Sequence, residues 1–185
     1  MARCSKAPLI GLLGSLLLPT VTLAANTASV DFSAQISDGS CELTLSEPHL
    51  SYGVHRRSDV QASTTVMLLP LTAGIQCSGA TTPTIKVSGV PYTPAPVSRA
   101  VIFRDADSAA KGVGFMVRRD TGGITTGNFF NTDAALVNGE AVTLSAVAEE
   151  TLHSEPFLLG LVRAGNEPVT PGTIKATLTF TVAYE

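Results

Sequence analysis

Hydrophobic and polar residues alternate one by one along much of the chain, as they do in strands with one buried face. No stretch keeps the 3.6-residue spacing of an amphipathic helix for three turns. The pattern therefore predicts an all-β domain. Strands are predicted at 28–36, 41–45, 50–54, 65–77, 84–87, 100–104, 114–119, 141–147, 157–163 and 174–184.

Turn sequences separate these strands, among them Asp38-Gly39, Gly122-Gly123 and Asn138-Gly139. Pro70 interrupts the longest predicted strand. Proline has no amide proton to give to a sheet, so Pro70 predicts an edge position or a bulge. Many short strands at this spacing favour a β-sandwich over an open sheet.

The first two dozen residues have the pattern of a secretory signal peptide. Arg3 and Lys6 precede an apolar run at 9–18, and small residues follow at Thr22 and Ala24. A run of about ten residues is too short to span a membrane, which takes roughly 20. We predict that residues 1–24 are removed, although cleavage after Ala25 also fits the small-residue rule, and that the mature protein is exported.

Composition narrows the function further. The chain has 185 residues, enough for one domain of ordinary size. Its formal net charge is −3 and only 15% of its residues are charged, so it has no basic surface for nucleic acid. Hydrophobic residues make up 44% of the sequence, too many for a disordered chain.

Three cysteines are present, and Cys4 leaves with the signal peptide. Cys41 and Cys77 then remain in a chain bound for an oxidising compartment, which predicts one disulfide. The alternative is a metal or redox pair. It is disfavoured because the sequence has neither Cys-x-x-Cys spacing nor an adjacent histidine.

Candidate catalytic residues are scattered. The sequence has no Gly-x-Ser-x-Gly, and Gly112-Val113-Gly114 lacks the context of a phosphate loop. We therefore predict no catalytic site, no metal site and no cofactor, and no enzyme activity. The residues considered and set aside as surface positions are His49, His55 and His153, together with Asp105, Asp107, Glu149, Glu150 and Glu155.

The end of the chain has the longest alternation. One face of the last predicted strand carries Gly172, Ile174, Ala176, Leu178, Phe180, Val182 and Tyr184. A long apolar edge strand invites another chain to pair with it, so it needs a cover. The predicted N-terminal strand could cover it in the same molecule or in a neighbour, and periodicity alone leaves both open.

The combination of these features resembles the pilin subunits of chaperone–usher fimbriae of Gram-negative bacteria. The resemblance rests on the signal peptide, the segment Phe32-x-Ala34-x-Ile36 followed by Cys41, the second cysteine and the terminal strand. In that family a glycine fourteen residues from the end and a penultimate tyrosine mark the last strand. Gly172 and Tyr184 occupy those places here.

The resemblance implies an immunoglobulin-like β-sandwich that lacks its last strand. Strand addition to an exposed sheet edge is known for chaperone–pilin complexes. By resemblance, 25–37 is a donor strand and 38–185 is the pilin domain, whose acceptor groove is walled by the terminal strand. The implied donor positions are Ala28, Val30, Phe32, Ala34 and Ile36.

The implied partners are a periplasmic chaperone, an outer-membrane usher and neighbouring pilin subunits. The implied location is a fimbrium at the cell surface, which the protein reaches through the periplasm. For the assembled pilus, a host glycan is a further expected receptor. A glycan-binding tip adhesin is the alternative, but tip adhesins of the family usually carry an additional lectin domain for which this chain has no room.

Two details set this chain apart within the resemblance. Ala34 stands where the family motif has glycine. Its methyl group would crowd the matching pocket of the neighbour, which costs roughly 1 to 3 kcal/mol of binding free energy unless that pocket is wider. The extension before Phe32 is short, which is similar to minor or adaptor subunits.

Overall fold

The computed structural model describes residues 40–62 and 64–184. The predicted signal peptide, its cleavage site and the strand predicted at 28–36 lie outside this part of the chain.

Eight strands and one short 3-10 helix form the described fold. Each strand appears near a position that the alternation predicts. The strands are β1 (Cys41–Leu45), β2 (Thr65–Cys77), β3 (Thr84–Ser88), β4 (Ile102–Phe103), β5 (Val113–Arg119), β6 (Ala141–Thr143), β7 (Leu152–Arg163) and β8 (Thr179–Ala183), and the 3-10 helix is Arg57–Asp59.

The strands form two antiparallel sheets. The larger has the order β1-β2-β7-β5-β4 and the smaller has the order β6-β3-β8. Strands from both sheets contribute to one apolar cluster, so the sheets are the two layers of a sandwich. The prediction of an all-β sandwich is confirmed.

Alternating side chains of β2 fill the centre of this sandwich. Leu71, Ala73, Ile75 and Cys77 are buried. They meet Ile85 and the rest of a cluster that also contains Val87, Phe103, Val117, Leu136, Leu144, Phe157 and Leu159. Period-2 burial is what a strand requires when one face lies against a second sheet.

Pro70 lies where its missing amide proton costs nothing. β1 pairs only with residues 73–77 of β2, so the first half of β2 has β7 as its single strand neighbour among the described residues. The register between β2 and β7 also shifts between Thr65 and Leu68. Both expectations for Pro70, an edge and a nearby bulge, agree with this arrangement.

The cysteine pair joins the first two strands. Cys41 and Cys77 face each other in the β1–β2 register and form a disulfide. Cys77 is buried in the sandwich core. The bond therefore ties the edge strand β1 to the middle of the larger sheet.

The predicted strand boundaries are wrong in several places. No strand forms at 50–54, and the terminal strand begins at Thr179 rather than at residue 174. The strands predicted at 100–104 and 141–147 shrink to Ile102–Phe103 and Ala141–Thr143, whereas the strand predicted at 157–163 begins earlier, at Leu152.

Local chemistry explains two of these differences. Gly53 has φ +70°, and the His55 Nε2–H donates to the Tyr52 carbonyl over 2.6 Å, so this segment turns instead of extending. Pro83 faces the end of β6, where the Leu144 amide donates to its carbonyl over 2.9 Å. Pro83 cannot return a bond because it has no amide proton, so the ladder is interrupted there and resumes only as an isolated bridge between Thr81 and Val147.

Among the described residues, no helix has the length and apolar character needed to cross a membrane.

We expect the disulfide to carry a substantial part of the domain's stability. Replacing Cys41 and Cys77 together with alanine should lower the free energy of unfolding by about 2 to 5 kcal/mol, because the unfolded chain regains the freedom of the closed loop. Urea unfolding of the oxidised protein and of the double variant measures this. Equal midpoints would show that β1 is held by packing alone.

A candidate acceptor groove between two strand edges

Residues 173–184 keep a strict alternation of exposure. Ile174, Ala176, Leu178, Phe180 and Val182 are half-buried, and the residues between them are exposed. Side chains of the central core, by contrast, are almost fully buried. The apolar face of this segment is therefore turned inward without being covered.

β8 has a free edge. It pairs with β3 on one side, and it is the outer strand of its sheet among the described residues. β1 is likewise the outer strand of the larger sheet. Two sheet edges with half-buried apolar side chains thus border the same opening of the sandwich.

The opening is a groove with a cavity volume of about 840 Å³. One wall is formed by 172–180 and the other by 45–60, with side chains of β5 and β7 at the bottom. Its apolar lining comprises Leu45, Leu50, Tyr52, Val60, Leu71, Val113, Phe115, Leu159, Leu161, Ile174, Ala176, Leu178 and Phe180. The groove opens directly onto the hydrophobic core.

The groove wall is continuous with the hydrophobic core at Phe180. The Phe180 ring packs against Phe157 of β7 with a centroid distance of 5.7 Å. At the other end, Ile174 packs on a cluster of Ala110, Val113 and Leu161. The wall is therefore anchored at both ends while its middle faces the cavity.

Hydrogen bonds hold the 173–177 segment from its outer side. The Asp105 carboxylate accepts from the Thr177 amide over 3.0 Å and from the Thr177 hydroxyl over 2.9 Å. The Ser108 hydroxyl and the Asp105 amide both donate to the Lys175 carbonyl, over 3.1 and 2.9 Å. In 173–177 these contacts take the place of the hydrogen bonds that a neighbouring strand would make. This explains why β8 begins only at Thr179, although the segment before it alternates like a strand.

A surface ion pair adds to the same attachment. The Lys175 Nζ lies 2.6 Å from the Asp107 carboxylate. Hydrogen bonding to Lys175 lowers the pKa of Asp107, and the Asp107 carboxylate raises the pKa of Lys175. Both groups are exposed, so their pairing contributes little stability.

Gly172 begins this wall because no other residue fits there. Its φ is +154°, and a Cβ atom at this position would lie 2.5 Å from the Ala110 nitrogen and 2.7 Å from the Ala109 carbonyl carbon. The chain passes directly against the 109–110 backbone before it enters the groove wall. Gly172 thus allows the chain to lie close to the 109–110 backbone. This brings the residues after Gly172 within hydrogen-bond distance of 105–110.

Tyr52 is the residue of the opposite wall with an unsatisfied polar atom. Its ring packs on Phe115 at a centroid distance of 5.0 Å. Its hydroxyl is buried with no hydrogen-bond partner among the described residues. Burial raises the pKa of Tyr52 above its usual range, so the phenol stays neutral.

The structure brings five of the seven predicted wall residues to the groove: Gly172, Ile174, Ala176, Leu178 and Phe180. Val182 packs on the main core, and neither it nor Tyr184 lines the cavity. The predicted donor positions, Ala28, Val30, Phe32, Ala34 and Ile36, lie outside the described residues. The sequence does not reveal the second wall at 45–60, because the alternation of Leu50, Tyr52 and Val54 predicts a strand that does not form.

The residues considered for catalysis have structural surroundings. Asp105 holds the groove wall through Thr177, and Asp107 forms an exposed ion pair with Lys175. The prediction of a surface position is wrong for Glu155. It is buried, where it accepts from the Arg119 Nε over 2.5 Å and lies 3.4 Å from the His153 ring. Within 40–62 and 64–184, no cluster of three or more His, Cys, Asp or Glu residues could bind a metal ion.

A family comparison decides what kind of protein has this groove. The fimbrial protein family matches residues 30–185. The chain belongs to that family. The membership that the two ends of the sequence predict is thereby confirmed.

Two solved structures share the fold of this fimbrial protein. One is a chain of a chaperone–usher pilus studied for rod uncoiling, with 12% identity, coverage of 89% of this chain and 99% of that chain, and a TM-score of 0.54. The other is the P pilus rod subunit PapA, with 14% identity, coverage of 78% and 99%, and a TM-score of 0.52. No curated protein matches the sequence.

The fimbrial protein is accordingly a structural subunit of a pilus with the pilin fold. Family membership implies that the protein is part of a fimbrium. Pilins of this family are typically structural proteins rather than enzymes.

Gly172→Ala should loosen the groove wall. The substitution strains the backbone and drives a methyl group into the 109–110 backbone, so we expect a loss of about 1 to 3 kcal/mol in the free energy of unfolding. Gly127→Ala is the matched control, because the nearest atom to a Cβ there is the Thr125 Oγ1 at 3.8 Å. Urea unfolding measures both. An equal effect at the two sites would contradict the assigned role of Gly172.

Proposed function

We propose that the groove between 45–60 and 172–180 accepts an extended strand from another protein, first from a periplasmic chaperone and then from the N-terminal extension of a neighbouring subunit. The observation that carries the proposal is the groove itself. It is an apolar cavity of about 840 Å³ that reaches the core and lies beside the free edge of β8.

The free edge supplies the hydrogen bonds that an added strand needs. Unpaired amides and carbonyls of an edge strand pair readily with another chain. β8 pairs with β3 on one side, and its Phe180 lines the groove. An inserted strand would bond to β8 while its side chains enter the cavity, which is the arrangement of β-strand addition.

The N-terminal extension matches the groove in pattern and in length. Its apolar residues alternate over nine positions, 28–36, which span roughly 30 Å at about 3.3 Å per residue. The groove wall alternates over 173–180, eight positions, which is nearly the same length. A strand of this length would place its five apolar side chains along the whole cavity.

Burial of those side chains would drive assembly. Each large apolar side chain transferred from water into the groove contributes roughly 1.5 to 3 kcal/mol. Replacement of a chaperone strand by a better-fitting subunit strand would then proceed downhill with no other energy source. Each subunit would act as donor through 25–37 and as acceptor through its pilin domain, 38–185, and an outer-membrane usher would be the place of exchange.

Deleting residues 25–36 separates the donor role from the acceptor role. With a cognate chaperone in the periplasm, the full-length chain and the deletion variant should both be recovered as soluble 1:1 complexes. The full-length chain should also polymerise, and the deletion variant should not extend a polymer. A stable monomer without chaperone that is lost on deletion would mean that the extension completes its own sandwich, and the proposal would be wrong.

A peptide of residues 25–39 tests the fit side chain by side chain. Phe32→Ala removes a large apolar group from the inward face, so binding to the subunit should weaken by about 10- to 150-fold. Ser33→Ala changes the outward face and serves as the matched control, with no more than a twofold effect expected. Displacement of a labelled wild-type peptide gives both affinities. Equal losses for the two peptides would show that the extension does not insert with this face inward.

A further inference from the structure

Side chains on the inner face of the groove wall differ strongly in size. Along the wall this face carries, in order, Gly172, Ile174, Ala176, Leu178 and Phe180, and all five line the groove. Ala176 is a small residue between two large ones. Packing of two neighbouring strands is best where large side chains of one lie beside small side chains of the other. Ala176 therefore leaves space for a bulky side chain of an added strand.

Backbone hydrogen bonds of the wall show which of its residues an added strand would pair with. The Lys175 carbonyl accepts from the Asp105 amide over 2.9 Å, and the Thr177 amide donates to the Asp105 carboxylate over 3.0 Å. Backbone groups of successive residues in an extended chain point to opposite sides. Those of Ala176 therefore point away from 105–110, to the side on which an added strand would lie.

The N-terminal extension of this same sequence matches the wall in one antiparallel alignment. Phe32, its largest apolar side chain, then lies beside Ala176, and Phe180, the largest of the wall, lies beside Ala28. The other pairs in this alignment are Val30 with Leu178, Ala34 with Ile174 and Ile36 with Gly172. Directly opposed residues of antiparallel strands share one face, so all five pairs lie on the inner side.

Other alignments bring large side chains together. A shift by two residues in either direction places Phe32 beside Leu178 or beside Ile174. A parallel strand with the same centre places Ile36 beside Phe180. Two bulky groups in one position overfill the space and force neighbouring atoms apart. The sizes of the side chains thus select one direction and one register.

Charges around the groove also fit the extension. Arg56, Arg57 and Lys175 line the groove, and Glu47 is the one carboxylate among the described lining residues. Lys175 also pairs with Asp107. The extension, 25–39, contains two aspartates and neither lysine nor arginine. Opposite charges on two partners speed their association and disfavour partners of the same sign.

We propose that the strand that completes this groove comes from a second copy of the same chain and lies antiparallel to 172–180, with Phe32 beside Ala176. The proposal rests on the function proposed above and names the partner. Because the two ends of one sequence are complementary in size and in charge, the subunit polymerises with itself.

The test uses the full mature chain in complex with its chaperone, to which a labelled peptide of residues 25–39 is added. Peptide binding is measured through release of the chaperone. We expect the peptide to replace the chaperone at one peptide per subunit. A scrambled peptide keeps the composition and the charge, and it should leave the chaperone in place.

Exchange of side-chain size at the proposed pair tests the alignment. Ala176→Leu in the subunit fills the space for the ring, so the wild-type peptide should bind at least about tenfold more weakly. Phe32→Ala in the peptide should then cost less than about threefold, against about 10- to 150-fold on the wild-type subunit. Ile36→Ala is the matched control. It lies four residues from the exchanged pair and should cost the same on both subunits.

Disulfide trapping reports the direction of the strand and leaves Ala176 unchanged, so it also applies if Ala176→Leu does not fold. With oxidised glutathione as the oxidant, an Ala34→Cys peptide should link to an Ile174→Cys subunit. Directly opposed residues lie about 5.5 Å apart at Cα, within reach of a disulfide. A Leu178→Cys subunit is the control, which only a parallel strand would link.

Each failure has a distinct meaning. If the chaperone complex forms but the peptide does not displace the chaperone, the second copy is the wrong partner, while strand acceptance stands. If no chaperone complex forms and the peptide does not bind, the function proposed above fails as well. Equal costs of Phe32→Ala on both subunits, or linkage of the peptide to Leu178→Cys, would overturn the alignment on Ala176.

Discussion

An unfilled position beside β8 governs the rest of this structure. In the part of the chain that the structure describes, the strand pairs with β3 alone, its inner side chains are half-buried, and the space next to it reaches the core between the two sheets. Backbone groups at such an edge and apolar side chains over such a cavity have lower free energy when another strand covers them. The binding site proposed for an added strand is therefore a gap in the hydrophobic core of the domain itself.

The remaining elements keep this opening in shape. The Cys41–Cys77 disulfide fixes β1, the outer strand on one side, to the centre of the larger sheet. On the other side, Gly172 allows the close approach to 109–110, and the Asp105 carboxylate bonds to Thr177. Both walls are thus held from outside the groove, which leaves their inner faces available. Carboxylates that the sequence offers as candidates for chemistry serve this mechanical purpose.

Much of this could be predicted from the sequence because it depends on local alternation. β1 and β2 appear with their predicted ends, and the inward face of 172–182 is the predicted one. What could not be predicted depends on tertiary contacts. The segment 50–54 alternates like a strand, yet no strand within 40–62 and 64–184 pairs with it, and it turns at Gly53. The late start of β8 follows from hydrogen bonds to 105–110, which no pattern within 174–184 reveals.

Hydrogen exchange of the groove-wall amides tests the central claim most directly. The subunit would be compared with and without the peptide of residues 25–39, with the amides of 174–183 as the readout. The account predicts that the peptide slows exchange along this segment and leaves the β2–β7 ladder, which is already paired, nearly unchanged. Unchanged exchange at 174–183 with saturating peptide, or protection spread evenly over the whole domain, would contradict a groove that is completed by an added strand.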